Sequence, residues 1–110
     1  MTVANMHHRT YVLTVDRLHP AVGMSLPRVV PDDGFSVQGR WLPPKSVVGA
    51  NPWVLHRDSQ VFGEDVDSFK PERWLKEDVG DLHRFFFAFG SGARMCLGRN
   101  ICKFQSSVYD

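Results

Sequence analysis

Apolar residues along the chain fall into short runs, and one of them keeps a helical period. Leu97, Ile101, Phe104 and Val108 stand at i, i+4, i+7 and i+11, which predicts one face of a helix beginning just after Cys96. Near the other end, Tyr11 to Leu18 (YVLTVDRL) predicts a short helix that stops before Pro20, since the residue preceding a proline is pushed out of helical geometry. Its β-branched Val12, Thr14 and Val15 would also suit a strand. Residues 1–10 carry no clear pattern and stay unassigned.

Between these ends the pattern is extended and then irregular. Met24 to Val30 reads as extended, and Pro27 marks it as an edge or irregular strand. Phe35 and Val37 alternate with polar neighbours, Gln38-Gly39 supplies a turn, and Trp41-Leu42 leads through Pro43-Pro44 to a second apolar strand, Ser46 to Ala50. The expectation is a small antiparallel hairpin. Asn51 can cap a helical turn over Pro52 to Arg57, with Pro52 at the first helical position, where its missing N–H costs nothing. Asp58 to Arg84 is a loop-rich meander in which Phe62, Phe69 and Trp74 are the aromatic anchors. The fold class expected is α+β: short helix, hairpin, meander, a cysteine loop and a C-terminal helix, extended rather than compact.

Composition narrows the function more than the fold. The 110 residues are 43% hydrophobic, enough for a modest core. A net charge of +1, with basic residues scattered, leaves no nucleic-acid footprint. No apolar run approaches the roughly 20 residues that span a bilayer, so no membrane segment is expected. The first nine residues (MTVANMHHR) lack the apolar centre of a secretory signal, and the compartment stays unknown.

The chemistry concentrates at Cys96. Cys96 and Cys102 make a thin disulfide framework and, with no further ligand at suitable spacing, a poor zinc site, so both read as thiols. Cys96 stands where a helix starts, and the free N–H groups of a first helical turn stabilise a thiolate. Taken alone, Gly-Ser-Gly is an ordinary flexible turn and Cys96 an ordinary buried cysteine.

Five fixed positions over ten residues point elsewhere. Phe89, Gly92, Arg94, Cys96 and Gly98 form Phe-x-x-Gly-x-Arg-x-Cys-x-Gly, which resembles the heme-ligand signature of the cytochromes P-450, in particular eukaryotic and fungal members. Four further stretches resemble that family in the same order: Arg17 to Pro20, Leu26 to Arg28, Asn51 to Asp58, and Phe69 to Trp74 (FKPERW). The resemblance covers residues 11–104, and residues 11–110 are read as a partial domain, the C-terminal heme-binding part of a longer fold.

The resemblance implies heme b (iron protoporphyrin IX) ligated by Cys96. Phe89 would shield the sulfur, Gly92 and Gly98 would let the backbone approach the porphyrin, and Arg94 and Arg28 would meet the propionates. The implied activity is a monooxygenase taking electrons from a reductase and inserting oxygen into a small organic substrate. Full-length eukaryotic relatives are anchored to the endoplasmic reticulum. The oxygen-activating residues would precede this chain, so no catalytic residue is assigned here and no turnover by the isolated chain is expected. A heme-binding but inactive product and a cofactor-free truncated one are the alternatives. Leu97 argues against a short sensor-type heme motif, which needs proline after the cysteine.

One position departs from the family. Its members carry a glutamate where this chain has Thr14, and that glutamate forms a buried charged triad with the arginines equivalent to Arg17 and Arg73. Asp16 lies on another helical face. Loss of one partner from a buried charge network costs about 3–5 kcal/mol. A core that buried Arg17 and Arg73 with a new acidic partner would speak for a self-contained unit instead. Arg28, the pair His56 and Arg57, and Arg73 each read alone as solvated surface residues.

Overall fold

The computed structural model describes residues 3–102, so Phe104 and Val108 of the last apolar stripe lie outside the described residues. Helix α1 spans Val3–Leu18 and so contains the expected helix but begins earlier, within the stretch left unassigned. Periodicity missed it because its buried stripe is polar: Thr10, Thr14 and Arg17 face inward, with Leu18 as the buried apolar member. The threonines are satisfied within the helix, Thr10 Oγ1 donating to the His7 carbonyl and Thr14 Oγ1 to the Thr10 carbonyl, each at 2.7 Å.

The last carbonyls of a helix have no partner inside it. In α1 the carbonyl of Arg17 meets His56 Nδ1 at 3.0 Å and that of Leu18 accepts from Arg57 Nη2 at 3.2 Å. The cap of α1 therefore comes from residues nearly forty positions later. That long-range cap fixes how the middle of the chain folds back.

Four strands follow: β1 (Leu26–Val29), β2 (Phe35–Val37), β3 (Arg40–Leu42) and β4 (Val47–Ala50). β2 and β3 form the expected hairpin, with Phe35 opposite Leu42 and Val37 opposite Arg40. Gln38 (φ 48°) and Gly39 (φ 75°) both take the left-handed conformation that a two-residue hairpin turn requires. β4 pairs not with the hairpin but with β1, antiparallel, Leu26 opposite Ala50, so two two-stranded sheets form and the hairpin is nested between β1 and β4. At Gly34 (φ +71°) a Cβ would lie 2.1 Å from the Trp41 ring, so the indole packs where only glycine fits.

Short turns follow Ala50, and from Asp58 on they break up the loop-rich meander expected there. Asn51 Oδ1 accepts from the Trp53 N–H at 2.9 Å and opens α2 (Pro52–Leu55), as the sequence predicts. Asp58 does the same for α3 (Ser59–Phe62) through the Gln60 N–H at 2.9 Å. A 3-10 turn at Pro71–Leu75, helix α4 (Gly80–Arg84) and a second 3-10 turn at Gly92–Arg94 complete the path. Residues 99–102 are helical. That helix therefore starts three residues beyond Cys96, slightly later than expected.

The apolar core is small. Phe62, Trp74 and Leu82 are its buried members, with Leu13, Val61, Val66, Val79 and Phe86 packed around them. Two of the three expected aromatic anchors are therefore buried. The third, Phe69, is half-exposed and stacks on Tyr11 with ring centroids 5.8 Å apart, a surface pair rather than an anchor. The radius of gyration is 16.2 Å, against about 13 Å for a compact domain of this length. The chain is a small mixed helix-and-sheet unit, elongated as its sequence implies.

With so few apolar residues in the core, each one matters. Phe62→Ala should cost about 3–5 kcal/mol, since a large buried ring leaves a cavity its neighbours cannot fill. Urea unfolding followed by far-UV circular dichroism should show the midpoint collapse. An unchanged midpoint would mean that the cluster is not a core.

Candidate functional site

The densest polar chemistry is buried, and it surrounds two arginines. Arg17 is fully buried, and its guanidinium donates to three backbone carbonyls: His56 at 3.0 Å, Val66 at 2.6 Å and Ser68 at 3.3 Å. The cation also lies over the Phe62 ring, 5.4 Å from its centroid. Burial first, then the charges of Arg73 and Arg57, bring its pKa down to about 10, with Asp65 and Asp67 pulling the other way. It remains a cation at neutral pH. Its countercharge is a set of carbonyl dipoles from the segments it joins.

Arg73, from the Pro-Glu-Arg turn, is the second buried guanidinium, only 4% exposed. It donates to the carbonyls of Phe62 and Asp65 and to Asp65 Oδ1, the last two at 3.1 Å. Lys70 also bonds Asp65, at 2.8 Å, and these two hydrogen bonds, from Lys70 and then Arg73, hold the carboxyl down at about 2. So Arg17 and Arg73 are buried in one core and an acidic partner does appear. That partner reaches Arg73 alone and from the rim, with its side chain 37% exposed. Among the described residues Arg17 forms no ion pair.

Thr14 takes a part in this network that its sequence position did not suggest. Its hydroxyl accepts from Trp74 Nε1 at 3.1 Å, which ties α1 to the Pro71–Leu75 turn by a neutral bond. Nε of Arg17 and Nε of Arg73 are both buried with no hydrogen-bond partner. Asp65 reaches Arg73 only through Nη2, so each buried cation keeps one guanidinium donor without an acceptor.

His56 and Arg57 are not the surface pair that they resemble in isolation. His56 is fully buried, with its Nδ1 against the Arg17 carbonyl at 3.0 Å and its Nε2 accepting from the Phe87 N–H at 2.8 Å. Its ring stacks on Phe86, with centroids 5.4 Å apart and planes 9° apart. Arg57 is half-buried and lies 4.0 Å over the Trp53 ring while pairing with Asp67 at 3.0 Å. Only the cap of a distant helix could have revealed His56, and a sequence does not show which helix ends where.

The cysteine loop follows directly from Phe87. The Gly90 N–H bonds the Phe87 carbonyl at 3.0 Å, the Met95 N–H bonds the Gly92 carbonyl at 3.1 Å, and the Cys96 N–H closes onto the Phe89 carbonyl at 2.9 Å. Gly90 (φ 71°) and Gly92 (φ 70°) take left-handed conformations that make the loop this tight. Leu26 Cδ1 lies 3.6 Å from where a Gly90 Cβ would stand, so β1, which carries Arg28, abuts the loop. Cys96 is exposed and outside any disulfide. The first bond of the following helix runs from the Cys102 N–H to the Gly98 carbonyl at 2.9 Å, which places Cys96 just before that helix rather than inside it.

Phe89, Gly92, Arg94, Cys96 and Gly98 share one loop, and β1, the strand that carries Arg28, meets that loop at Leu26. Arg28 and Arg94 are both exposed, and among the described residues neither pairs with a carboxylate; Arg28 donates to the neighbouring Pro27 carbonyl at 2.7 Å. Arg17, Thr14 and Arg73 form a separate, buried group behind the loop, and His56 joins the two.

The cytochrome P450 family model matches residues 15–109. Pisatin demethylase of Fusarium vanettenii is 46% identical over 92 residues, covering 83% of this chain and 18% of that protein. A cytochrome P450 monooxygenase of Emericella nidulans is 45% identical over 87 residues, covering 77% of this chain and 18% of its own length. One from Sordaria araneosa is 42% identical over 90 residues, covering 79% and 16%. The chain spans less than a fifth of the length of these curated relatives.

The buried histidine makes stability depend on pH in a definite direction. Burial above all, together with the charges of Arg17 and Arg57, brings the His56 pKa down from 6.5 to about 4, against the bond to the Arg17 carbonyl, which raises it. The unfolded chain therefore binds this proton more readily, so its contribution to stability is complete above 6.5 and is lost as pH falls from there to about 4. The loss should be on the order of 3 kcal/mol. Urea midpoints measured across that window should fall in the parent chain, and a flat profile would contradict the assignment. Separately, Thr14→Val, which keeps the shape but removes the acceptor of Trp74 Nε1, should cost about 1–3 kcal/mol in the same assay.

Proposed function

The chain belongs to the cytochrome P450 family, and from that premise we propose that Cys96 would hold the iron of heme b as a thiolate ligand in a monooxygenase. One observation carries the reading: an exposed cysteine, free of any disulfide, closes a tight glycine-bearing loop through its own N–H bond to Phe89. When bound, the heme supplies the oxygen chemistry, inserting one oxygen atom into an organic substrate with electrons from a reductase.

The residues present fit such a group. A Cβ added at Gly92 would meet no atom within 4 Å, so the loop leaves open space on that side. A Cβ at Gly98 would stand 3.7 Å from the Cys96 sulfur, so the smallest residue keeps the thiol clear. Arg94 and Arg28 are exposed cations without carboxylate partners among the described residues, and the two propionates are matching anions. Phe89 contributes its carbonyl to the loop closure, and its ring packs against Phe86 with centroids 6.4 Å apart.

Each residue then has a role that its position permits. Cys96 holds negative charge at its sulfur, and the fixed backbone of the loop orients that sulfur. Arg94 and Arg28 fix the edge of the macrocycle, and Phe89 excludes water from the thiolate. Oxygen insertion belongs to a protein that also supplies the opposite wall of the site, together with substrate contacts and the reductase surface. The 110 residues alone are expected to bind heme without turnover.

Reconstitution with hemin, followed by reduction and carbon monoxide, tests the ligand. The parent chain should give a strongly red-shifted thiolate-type Soret band that Cys96→Ala lacks, and identical spectra from the two would sink the proposal. Arg94→Ala should keep the band but weaken hemin affinity roughly tenfold, the effect of one charge-assisted hydrogen bond. Unchanged affinity in a hemin titration would remove Arg94 from the propionate contact.

A further inference from the structure

His56 lies outside the heme-ligand pattern, yet its ring nitrogens join the buried arginine network to the start of the cysteine loop. Its two ring nitrogens have different partners: Nδ1 faces the Arg17 carbonyl at 3.0 Å, and Nε2 faces the Phe87 N–H at 2.8 Å. A carbonyl can only accept and an N–H can only donate, so one arrangement satisfies both. Nδ1 carries the proton and Nε2 is bare.

We infer that His56 is a positioning residue, a neutral clasp in the Nδ1–H tautomer that ties the end of α1 to Phe87 and so holds the entrance of the cysteine loop. The link to function rests on the proposed role of Cys96, but the clasp itself does not. Three further contacts make it rigid. The ring is fully buried, stacks parallel to Phe86, and meets Phe62 edge-on at 6.2 Å. Phe86, in turn, packs against Phe89 at 6.4 Å and Trp74 at 5.5 Å, so the ring touches both the loop and the core.

The surroundings keep the clasp neutral. The charged groups acting on the ring are Arg17 from α1 and Arg57 from its own segment, both cations, while Phe62, Phe86 and Phe87 contribute no charge. A second proton would sit on Nε2, facing the Phe87 N–H with nothing to donate to. Protonation must therefore break the Phe87 bond, and the loop entrance is released while α1 keeps its cap.

The order of residues explains why release at Phe87 reaches the thiol. The Phe87 carbonyl accepts from Gly90 and the Phe89 carbonyl accepts from Cys96, so the clasp and the cysteine are two hydrogen-bonded steps apart on a short loop. His56 touches neither the sulfur nor any group proposed to touch heme. It acts through Phe87.

The first test uses the heme-free chain labelled with nitrogen-15. Long-range proton–nitrogen spectra should show a protonated Nδ1 and a bare Nε2 for His56 at neutral pH; the opposite tautomer, or a ring that titrates as an exposed histidine does, would overturn the inference. The second test compares His56→Gln, whose amide oxygen can still accept from Phe87, with His56→Phe, which keeps the ring but no acceptor. Amide exchange at Phe87 and Cys96 should quicken about tenfold in His56→Phe relative to His56→Gln, with the Trp74 indole unchanged.

Equal exchange in the two variants would refute the clasp. If His56→Phe fails to fold, the tautomer spectrum of the parent chain still decides. Hemin-loaded, reduced and carbon monoxide-treated samples give the functional readout: His56→Phe should lose a larger share of the thiolate-type band than His56→Gln. Loss of that band in Cys96→Ala but equal bands in the two His56 variants would leave Cys96 as ligand and reject the positioning role. A correct tautomer with no thiolate band in the parent would reject the ligand and leave the clasp.

Discussion

A single buried cation, the Arg17 guanidinium, sets the arrangement of this chain. A charge withdrawn from water must find compensation, and here it comes from the carbonyls of His56, Val66 and Ser68 rather than from a carboxylate. Those carbonyls belong to the segments before and after α3, so satisfying one side chain fixes where α1, α2 and the start of the meander must lie. The apolar cluster of Phe62, Trp74 and Leu82 is too small to impose that geometry by itself. It fills the space that the hydrogen bonds define, and Phe62 lends its ring to the cation as well.

The same dependence runs outward to the cysteine. The backbone of the residue that carries the cation is capped by His56, His56 bonds Phe87, and Phe87 opens the loop that ends at Cys96. An exposed thiol on a mobile loop would be an ordinary reactive cysteine. Three backbone bonds and a buried histidine instead hold the backbone from which this thiol projects, as the proposed ligand role requires. Thr14 marks the weak point of this frame. It gives α1 a neutral bond to Trp74, while the Nε atoms of both buried arginines have no acceptor.

How much of this the sequence discloses depends on how local the physics is. The Asn51 cap and the Gln38-Gly39 turn are read correctly because each is decided by two or three adjacent residues. The motif from Phe89 to Gly98 is visible in the sequence through its resemblance to a known family, and the ligand role it implies for Cys96 stays a proposal. α1 was found only in part because its inward face is threonine and arginine, and an apolar period cannot report a polar stripe. The pairing of β4 with β1 and the burial of His56 are long-range outcomes. Nothing within a few residues of His56 distinguishes it from a solvated neighbour of Arg57, and the bond that matters joins it to a residue 31 positions away.

The central claim is that a polar cage around Arg17, not the apolar cluster, holds the segments in place. Replacing a buried ion with a well-packed apolar residue is often neutral or stabilising when the ion serves only as a charge. Arg17→Met keeps the length and volume of the side chain, removes the cation, and leaves three carbonyls without donors. Its urea midpoint, measured beside that of the parent chain, is therefore the most direct measurement. The account predicts a loss of at least about 3 kcal/mol, roughly one for each abandoned carbonyl. A midpoint equal to or above that of the parent would show that the cage does not organise the fold.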